Sequence, residues 1–287
     1  MDINKAKTVL IESFNKAIFA IHNDGWDCHP LRVIQAVKSL VGINITYPNS
    51  KLLEWVKEYS SKLEVRPKSE LMFNFSELEE TITINSLEIA IKEKESKLAF
   101  SHLEQLSRVS DGRPILEFLL ELSAQQSGKS FLFVLTALRS NLFLDSQNIT
   151  ALLMLSTQSI LDDSFEKWGL DPNNLDFEST FELNCQILQC YHQDLVRFIK
   201  IQPWLPKISE VIKNNEDIGN IEDPLNILSL GRQGLLDYID KVDLHMIKPE
   251  MILMLDAYRS ALKVTPEYSK KIISASPIEL LDVFNVK

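Results

Sequence analysis

The sequence predicts an all-α protein, a layered or solenoid-like array of about a dozen short helices. Three observations support this prediction. Apolar residues recur at three- and four-residue steps along most of the chain, which is the period of one helix face. The 287 residues include only 8 glycines and 11 prolines, too few for an all-β chain with many tight turns. Hydrophobic residues make up 45% of the chain, so it has ample material for a core.

The clearest pattern lies in residues 86–143, where three helices follow one another. The first follows Ser96 as a cap and ends at Gly112, because glycine readily takes the left-handed conformation found at helix ends. Pro114 begins the second helix, and Gly128 separates it from the third. Helices joined by such short turns pack as neighbours. Their predicted buried faces are Leu98, Ala99, Leu103, Leu106 and Val109, then Ile115, Leu116, Leu119 and Leu122, then Phe131, Leu135, Leu138 and Leu142.

The region before this stretch predicts four helices and one short strand. Residues 3–22 carry one apolar face, a second helix ends at Gly42, and Asn49 caps a third. Residues 43–47 are the only predicted strand. Residues 77–91 are predicted to be helical, although part of this segment alternates in a strand-like way.

After the central stretch, residues 148–162 predict another helix. The later predicted helices cover 177–201, 204–214, 224–230, 231–242 and 249–263, with a last turn at 277–284. We divide the chain into an N-terminal helical half, 1–145, and a C-terminal helical half, 146–287. One continuous domain is the alternative, because a single core rarely exceeds about 250 to 300 residues.

An internal similarity suggests that the two halves are related. Three groups match in order: Leu103, Leu106 and Ser107 with Leu225, Leu228 and Ser229; Gly112-Arg113 with Gly231-Arg232; and Leu135, Ala137, Arg139, Ser140 and Leu142 with Leu255, Ala257, Arg259, Ser260 and Leu262. Such self-similarity predicts a helical repeat. Chance similarity between common residues is the alternative.

The duplication would make Arg139 and Arg259 equivalent residues on apolar helix faces. A half-buried guanidinium needs a carboxylate, a carbonyl or an anionic ligand for its planar donors. Both arginines are therefore candidate ligand-binding residues. Internal pairing with an acidic side chain is the alternative.

Charge and cysteine content exclude several classes of partner. The formal net charge is -10, and no block of Lys and Arg could follow a phosphate backbone, so we expect no nucleic-acid partner. Three cysteines make a disulfide framework improbable and favour a reducing cytoplasm. No run approaches the roughly 18 apolar residues that cross a bilayer, and the first residues do not resemble a secretion signal. We expect an acidic cytoplasmic protein without a membrane partner.

The loop from His22 to His29 is the densest group of aromatic and titratable residues. Trp26, Asp27 and His29 are candidate ligand-binding residues, because function concentrates on such loops. His22, Cys28 and His29 are weaker candidates for a metal site, which needs three or four ligands to converge. The alternative is structural: Trp26 anchors the loop in the core, and His29 and Asp27 cap the next helix.

Two other known motifs, a phosphate-binding loop and a di-iron site, do not match this sequence. Residues 127–130 end like a phosphate-binding loop, but Ser123 stands where the first glycine of that loop belongs. No histidine follows a glutamate by three positions, which disfavours a ferritin-like di-iron site. The sequence assigns no catalytic residue and no cofactor.

The expected function is that of a binding or scaffold protein, which offers a helical surface or groove to a protein partner. Helical arrays without a catalytic constellation usually act through their surfaces. The alternative is a helical enzyme or small-molecule carrier, with or without a metal, whose pocket lies between helices.

Overall fold

The computed structural model describes residues 2–23, 25–73, 82–123, 129–163 and 231–264, together with residues 182, 185, 186, 189 and 190. These residues contain no β-strand, so the all-α prediction is confirmed. The five continuous described ranges form ten α-helices: α1 (Ile3–Ile18), α2 (Pro30–Val41), α3 (Ser50–Ser61), α4 (Ile84–Lys92), α5 (Ser96–Val109), α6 (Arg113–Ser123), α7 (Lys129–Phe143), α8 (Ile149–Asp162), α9 (Arg232–Lys241) and α10 (Pro249–Val264). Two 3-10 helices cover Lys68–Leu71 and Leu244–Met246.

Several predicted helices lie outside the described residues. These are the segments 204–214, 224–230 and 277–284. Of the predicted helix 177–201, five residues are described, and all five are helical.

The chain packs into two compact units. The first consists of Met1–Ser13, Val33–Lys62 and Asp171–Lys287, and the second of Phe14–Arg32 and Leu63–Leu170. The predicted domain boundary after residue 145 stays a prediction. No helix among the described residues has both the length and the apolar character that a membrane crossing demands.

The second unit is built on α4 to α8. Helix α6 packs against α7 and α8, α7 packs against α8, and α5 packs against α4 and α8. The faces predicted for α6 are confirmed, because Ile115, Leu116, Leu119 and Leu122 are all buried. Three residues predicted at the ends of buried faces are exposed instead: Leu98 by 38%, Val109 by 81% and Leu142 by 45%.

Helix α1 ends four residues earlier than predicted because a tertiary contact follows it. Its last residue is Ile18. Ala20 then forms an isolated antiparallel bridge with Val65, and the Ile21 N–H donates to the Glu64 carbonyl at 2.8 Å. This pairing satisfies backbone groups that a longer helix would have satisfied internally.

The strand predicted at 43–47 is wrong, since these residues form a turn and bends. The Ile43 N–H donates to the Leu40 carbonyl at 3.0 Å. The Tyr47 N–H donates to Asn44 Oδ1, also at 3.0 Å. Short-range bonds of this kind compete with strand pairing.

Side-chain caps fix the starts of α3 and α4. Asn49 Oδ1 accepts from the Leu52 N–H at 3.0 Å, which confirms the predicted cap. Thr83 Oγ1 accepts from the Ser86 N–H at 3.2 Å, and Ser86 Oγ accepts from the Thr83 N–H at 3.4 Å. This reciprocal pair is a capping box, so α4 begins at Ile84 although the segment before it reads like a strand.

The first unit contains α9 and α10, which pack against each other, while α9 also packs against α3. Trp55 on α3 is buried, and its Nε1 donates to the Ile247 carbonyl at 2.9 Å. Asn49 Nδ2 donates to Asp240 Oδ1 at 2.8 Å. These bonds connect parts of the unit that lie far apart in sequence.

The segments that suggested a duplication have similar local structures. Gly112 and Gly231 have φ angles of 83° and 78°, and each immediately precedes a helix, α6 and α9. Arg139 and Arg259 lie on α7 and α10, which pack against α6 and α9 within their own units. Residues 225–229 of the similarity lie outside the described residues. The duplication stays a prediction.

Candidate functional site

A cavity of about 600 Å³ lies within the second unit. Its wall combines the loop at 22–29, the segment around Arg66, Phe100 of α5 and one face of α8. Apolar and polar side chains share this wall. The lining residues are His22, Asn23, Gly25, Trp26, His29, Arg66, Glu70, Leu71, Phe100, Met154, Leu155, Gln158 and Asp162.

The bridge between Ala20 and Val65 brings Arg66 to the cavity. The Arg66 N–H donates to the Phe19 carbonyl at 2.8 Å. The Arg66 side chain also donates, through Nη2, to the Ala20 carbonyl at 3.2 Å. The backbone N–H and the side chain of Arg66 thus both bond to the segment of Phe19 and Ala20, which fixes the direction of the guanidinium.

Trp26 joins the loop to α7 and α8. Its ring lies parallel to that of His29, with centroids 5.5 Å apart and an interplanar angle of 12°. It also meets the ring of Phe133 edge to face at 4.6 Å. Its Nε1 donates to Asp162 Oδ2 at 3.2 Å, so one side chain contacts both helices.

His29 has the capping role that was the structural alternative for this loop. Its Nδ1 accepts from the Leu31 N–H at 3.2 Å, at the start of α2. Because Nδ1 is an acceptor, the neutral ring carries its proton on Nε2. Asp27 contributes its carbonyl oxygen, which accepts from Arg32 Nη1. His29 therefore caps a helix and also lines the cavity.

The imidazole of His29 is neutral over the physiological pH range. Burial, followed by positive charges nearby, lowers the pKa of His29 from 6.5 to about 3. The neighbouring groups that contribute are His22, Arg66 and Arg32. A neutral ring leaves the guanidinium of Arg66 as the permanent cation of the lining.

We expect the buried His29 to make the protein sensitive to acid. The folded pKa lies below the unfolded value of 6.5, so the unfolded chain binds more protons as the pH falls from 6.5 toward about 3, and stability is lost in that window. Between about pH 7.5 and about pH 5, the wild type should lose about 2 kcal/mol more free energy of unfolding than His29→Asn. The amide oxygen of Asn can replace Nδ1 as the acceptor. Urea unfolding at both pH values measures the difference, and equal losses would contradict a buried neutral imidazole.

Two polar atoms of the lining residues are buried without a hydrogen-bond partner among the described residues. They are His22 Nε2 and Arg66 Nε. Buried polar atoms are nearly always paired, and each one left unpaired costs about 1 to 3 kcal/mol. His22 and Arg66 both line the cavity, so a partner for these atoms would have to come from outside the described residues.

The predicted metal ligands come together only in part. The rings of His22 and His29 are 5.5 Å apart, whereas the half-buried Cys28 does not line the cavity. Across the described ranges, no three His, Cys, Asp or Glu side chains are grouped so that they could hold a metal ion. Asp24 of the same loop lies outside the described residues. The metal hypothesis stays a prediction.

The two arginines suggested by the internal similarity do not line the cavity. Arg139 is half-buried on α7. Arg259 is buried in the first unit, where its Nε donates to Asp256 Oδ1 at 2.6 Å and its Nη2 to Gln189 Oε1 at 3.3 Å. The internal pairing offered as the alternative for Arg259 is thus what the structure contains.

Sequence reasoning missed Arg66, Glu70 and the contribution of α8 to the cavity. Arg66 precedes a proline, and a residue in that position favours extended backbone, which was a signal for the pairing with Ala20. Nothing in the local sequence shows which loop this segment meets.

No family model, no curated protein and no solved structure matches the chain.

Proposed function

We propose that the protein binds a small organic molecule in the cavity of its second unit. This was the alternative expected from the sequence, and the observation that carries it is a cavity lined by Arg66 and His22, whose Nε and Nε2 atoms have no hydrogen-bond partner among the described residues. A ligand that bonds to them would recover the free energy that their burial costs. No such gain is available at a flat, solvated surface.

The size and composition of the cavity support the proposal. Its volume of about 600 Å³ falls inside the range of about 300 to 1,000 Å³ that is typical of small-molecule sites. Leu71, Phe100, Met154 and Leu155 provide an apolar wall, and a few polar groups provide direction.

A protein-binding scaffold is the second candidate. Ile45 and Tyr47, in the bends after α2, are exposed by 59% and 78%. Neighbouring exposed apolar side chains favour contact with a partner. The patch is small, so it ranks below the cavity. A cytoplasmic location fits either candidate, since no disulfide joins the three cysteines, all of which are described.

A fragment screen by thermal shift, followed by calorimetry, tests the proposed function. Met154→Trp would place a large ring in the cavity, because Met154 is a half-buried lining residue. Met72→Trp is the matched control, since Met72 is 58% exposed and does not line the cavity. We expect fragments that bind the wild type to bind Met154→Trp at least about 10-fold more weakly and Met72→Trp equally well. If Met154→Trp leaves the affinity of these fragments unchanged, the proposal is refuted.

A further inference from the structure

We infer that the ligand of this cavity is a small carboxylic acid with an apolar body, whose carboxylate is bound by Arg66 and His22. This inference rests on the proposed function, and it names the chemical class of the ligand.

The guanidinium of Arg66 is a half-buried cation in the cavity lining. Within the described part of the chain, Arg66 forms no ion pair with a carboxylate, and its side chain donates to the neutral Ala20 carbonyl. Its Nε–H is buried and unpaired. Arginine binds carboxylates through parallel N–H donors, and such charge-assisted bonds are about twice as strong as neutral ones. An entering carboxylate would supply both the missing acceptor and the missing charge.

Neither acidic lining residue forms an ion pair with this cation. Glu70 is exposed, so its charge is solvated. Asp162 is exposed as well, and its two carboxylate oxygens accept bonds from Gln158 Nε2 and Trp26 Nε1. The charges of Glu70 and Asp162 are therefore exposed, whereas Arg66 is half-buried.

These acidic residues also select between kinds of anion. A phosphate monoester carries about two negative charges at neutral pH, and Glu70 and Asp162 would repel it more strongly than a carboxylate with one charge. Both residues lie along the wall of the same cavity. A ligand with a single carboxylate therefore contacts Arg66 with less repulsion from Glu70 and Asp162 than a phosphate monoester would meet.

His22 supplies the second contact. Its Nε2 is buried without a described partner, and in the tautomer that carries the proton on Nε2 this atom would donate to the second carboxylate oxygen. His29 remains neutral beside it, because its pKa is about 3. The apolar body of the acid would then lie against Phe100, Met154 and Leu155.

Matched acids and primary amides test the inference. The probes are hexanoate and hexanamide, and 3-phenylpropionate and 3-phenylpropanamide, titrated calorimetrically into the full-length protein. We expect each acid to bind the wild type at least about 10-fold more tightly than its amide. Arg66→Met should bring that ratio close to one, and Arg113→Met should leave it unchanged, because Arg113 is a surface residue paired with Glu117.

A second variant and a second measurement distinguish a loss of binding from misfolding. Arg66→Lys keeps the charge, so it should retain a preference for the acid that is smaller than that of the wild type. In nuclear magnetic resonance spectra, the indole N–H signal of Trp26 should move on binding, because it bonds to Asp162 at the cavity. The indole N–H of Trp55 bonds to Ile247 in the first unit and should not move.

The outcomes separate this inference from the proposed function. If acids and amides bind equally and Met154→Trp abolishes both, the carboxylate inference is overturned and the cavity remains a binding site. If neither series moves the Trp26 signal at concentrations of about 10 mM, this inference fails, and the proposed function then depends on the fragment screen alone.

Discussion

Replacing Leu119 by alanine should lower the free energy of unfolding by about 2 to 5 kcal/mol. Leu119 is fully buried on α6, at 0% exposure, and α6 packs against both α7 and α8. The substitution removes apolar atoms from contacts in a close-packed core and leaves a cavity that the surrounding helices fill only in part. Urea denaturation followed by circular dichroism measures the loss.

Leu142→Ala is the matched control, because the same atoms are removed from a side chain that is 45% exposed. Its cost should be below about 1 kcal/mol, since water already reaches much of that side chain. Similar losses in the two variants would contradict the packing of α6. The contrast also checks where the buried face of α7 ends, because the sequence pattern alone placed Leu142 inside.

Gly112→Ala should destabilise the protein by about 2 to 5 kcal/mol for two separate reasons. The φ angle of Gly112 is 83°, a conformation that costs any residue with a Cβ. A Cβ at this position would also collide with Ile149 Cγ1 and lie 3.3 Å from Leu153 Cδ1. Both residues belong to α8, so the backbone of α6 and the helix beneath it cannot both keep their positions.

Gly231→Ala separates these two causes. Gly231 has a φ angle of 78°, but nothing lies within 4 Å of an added Cβ among the described atoms. Only the conformational cost applies there, about 1 to 3 kcal/mol. The excess loss in Gly112→Ala then measures the collision with α8. If Gly231→Ala proves the more damaging of the two, the close approach at Gly112 is wrong.

Helix positions were predictable because buried faces repeat at the helical period. Leu116 and Leu119 lie where that pattern places them, and both are fully buried. The limits of the buried face were not predictable in the same way. On α5, Leu98 and Val109 are exposed although they continue the apolar pattern, while Glu104 is buried and paired with Arg108 at 2.9 Å. Periodicity identifies a face, but the neighbouring helices decide how much of it is covered.

The candidate site was predictable only where its residues are contiguous. Trp26, His22 and His29 share one loop, so their density in the sequence pointed to a site. Arg66 reaches the same cavity through the pairing of Ala20 with Val65, a contact between distant segments. Local composition does not indicate such a pairing, and the missing partner of Arg66 Nε can be recognised only in the folded structure.

The close approach of Gly112 to Ile149 limits the order in which substitutions at these two positions could have been accepted during evolution. A lineage that acquired asparagine, which tolerates positive φ, at position 112 before position 149 became smaller would pass through a poorly folded ancestor. The reverse order passes through an ancestor with only a small void under the turn. Relatives with a side chain at 112 should therefore pair it with a short residue at 149, and an ancestral reconstruction should place the change at 149 first.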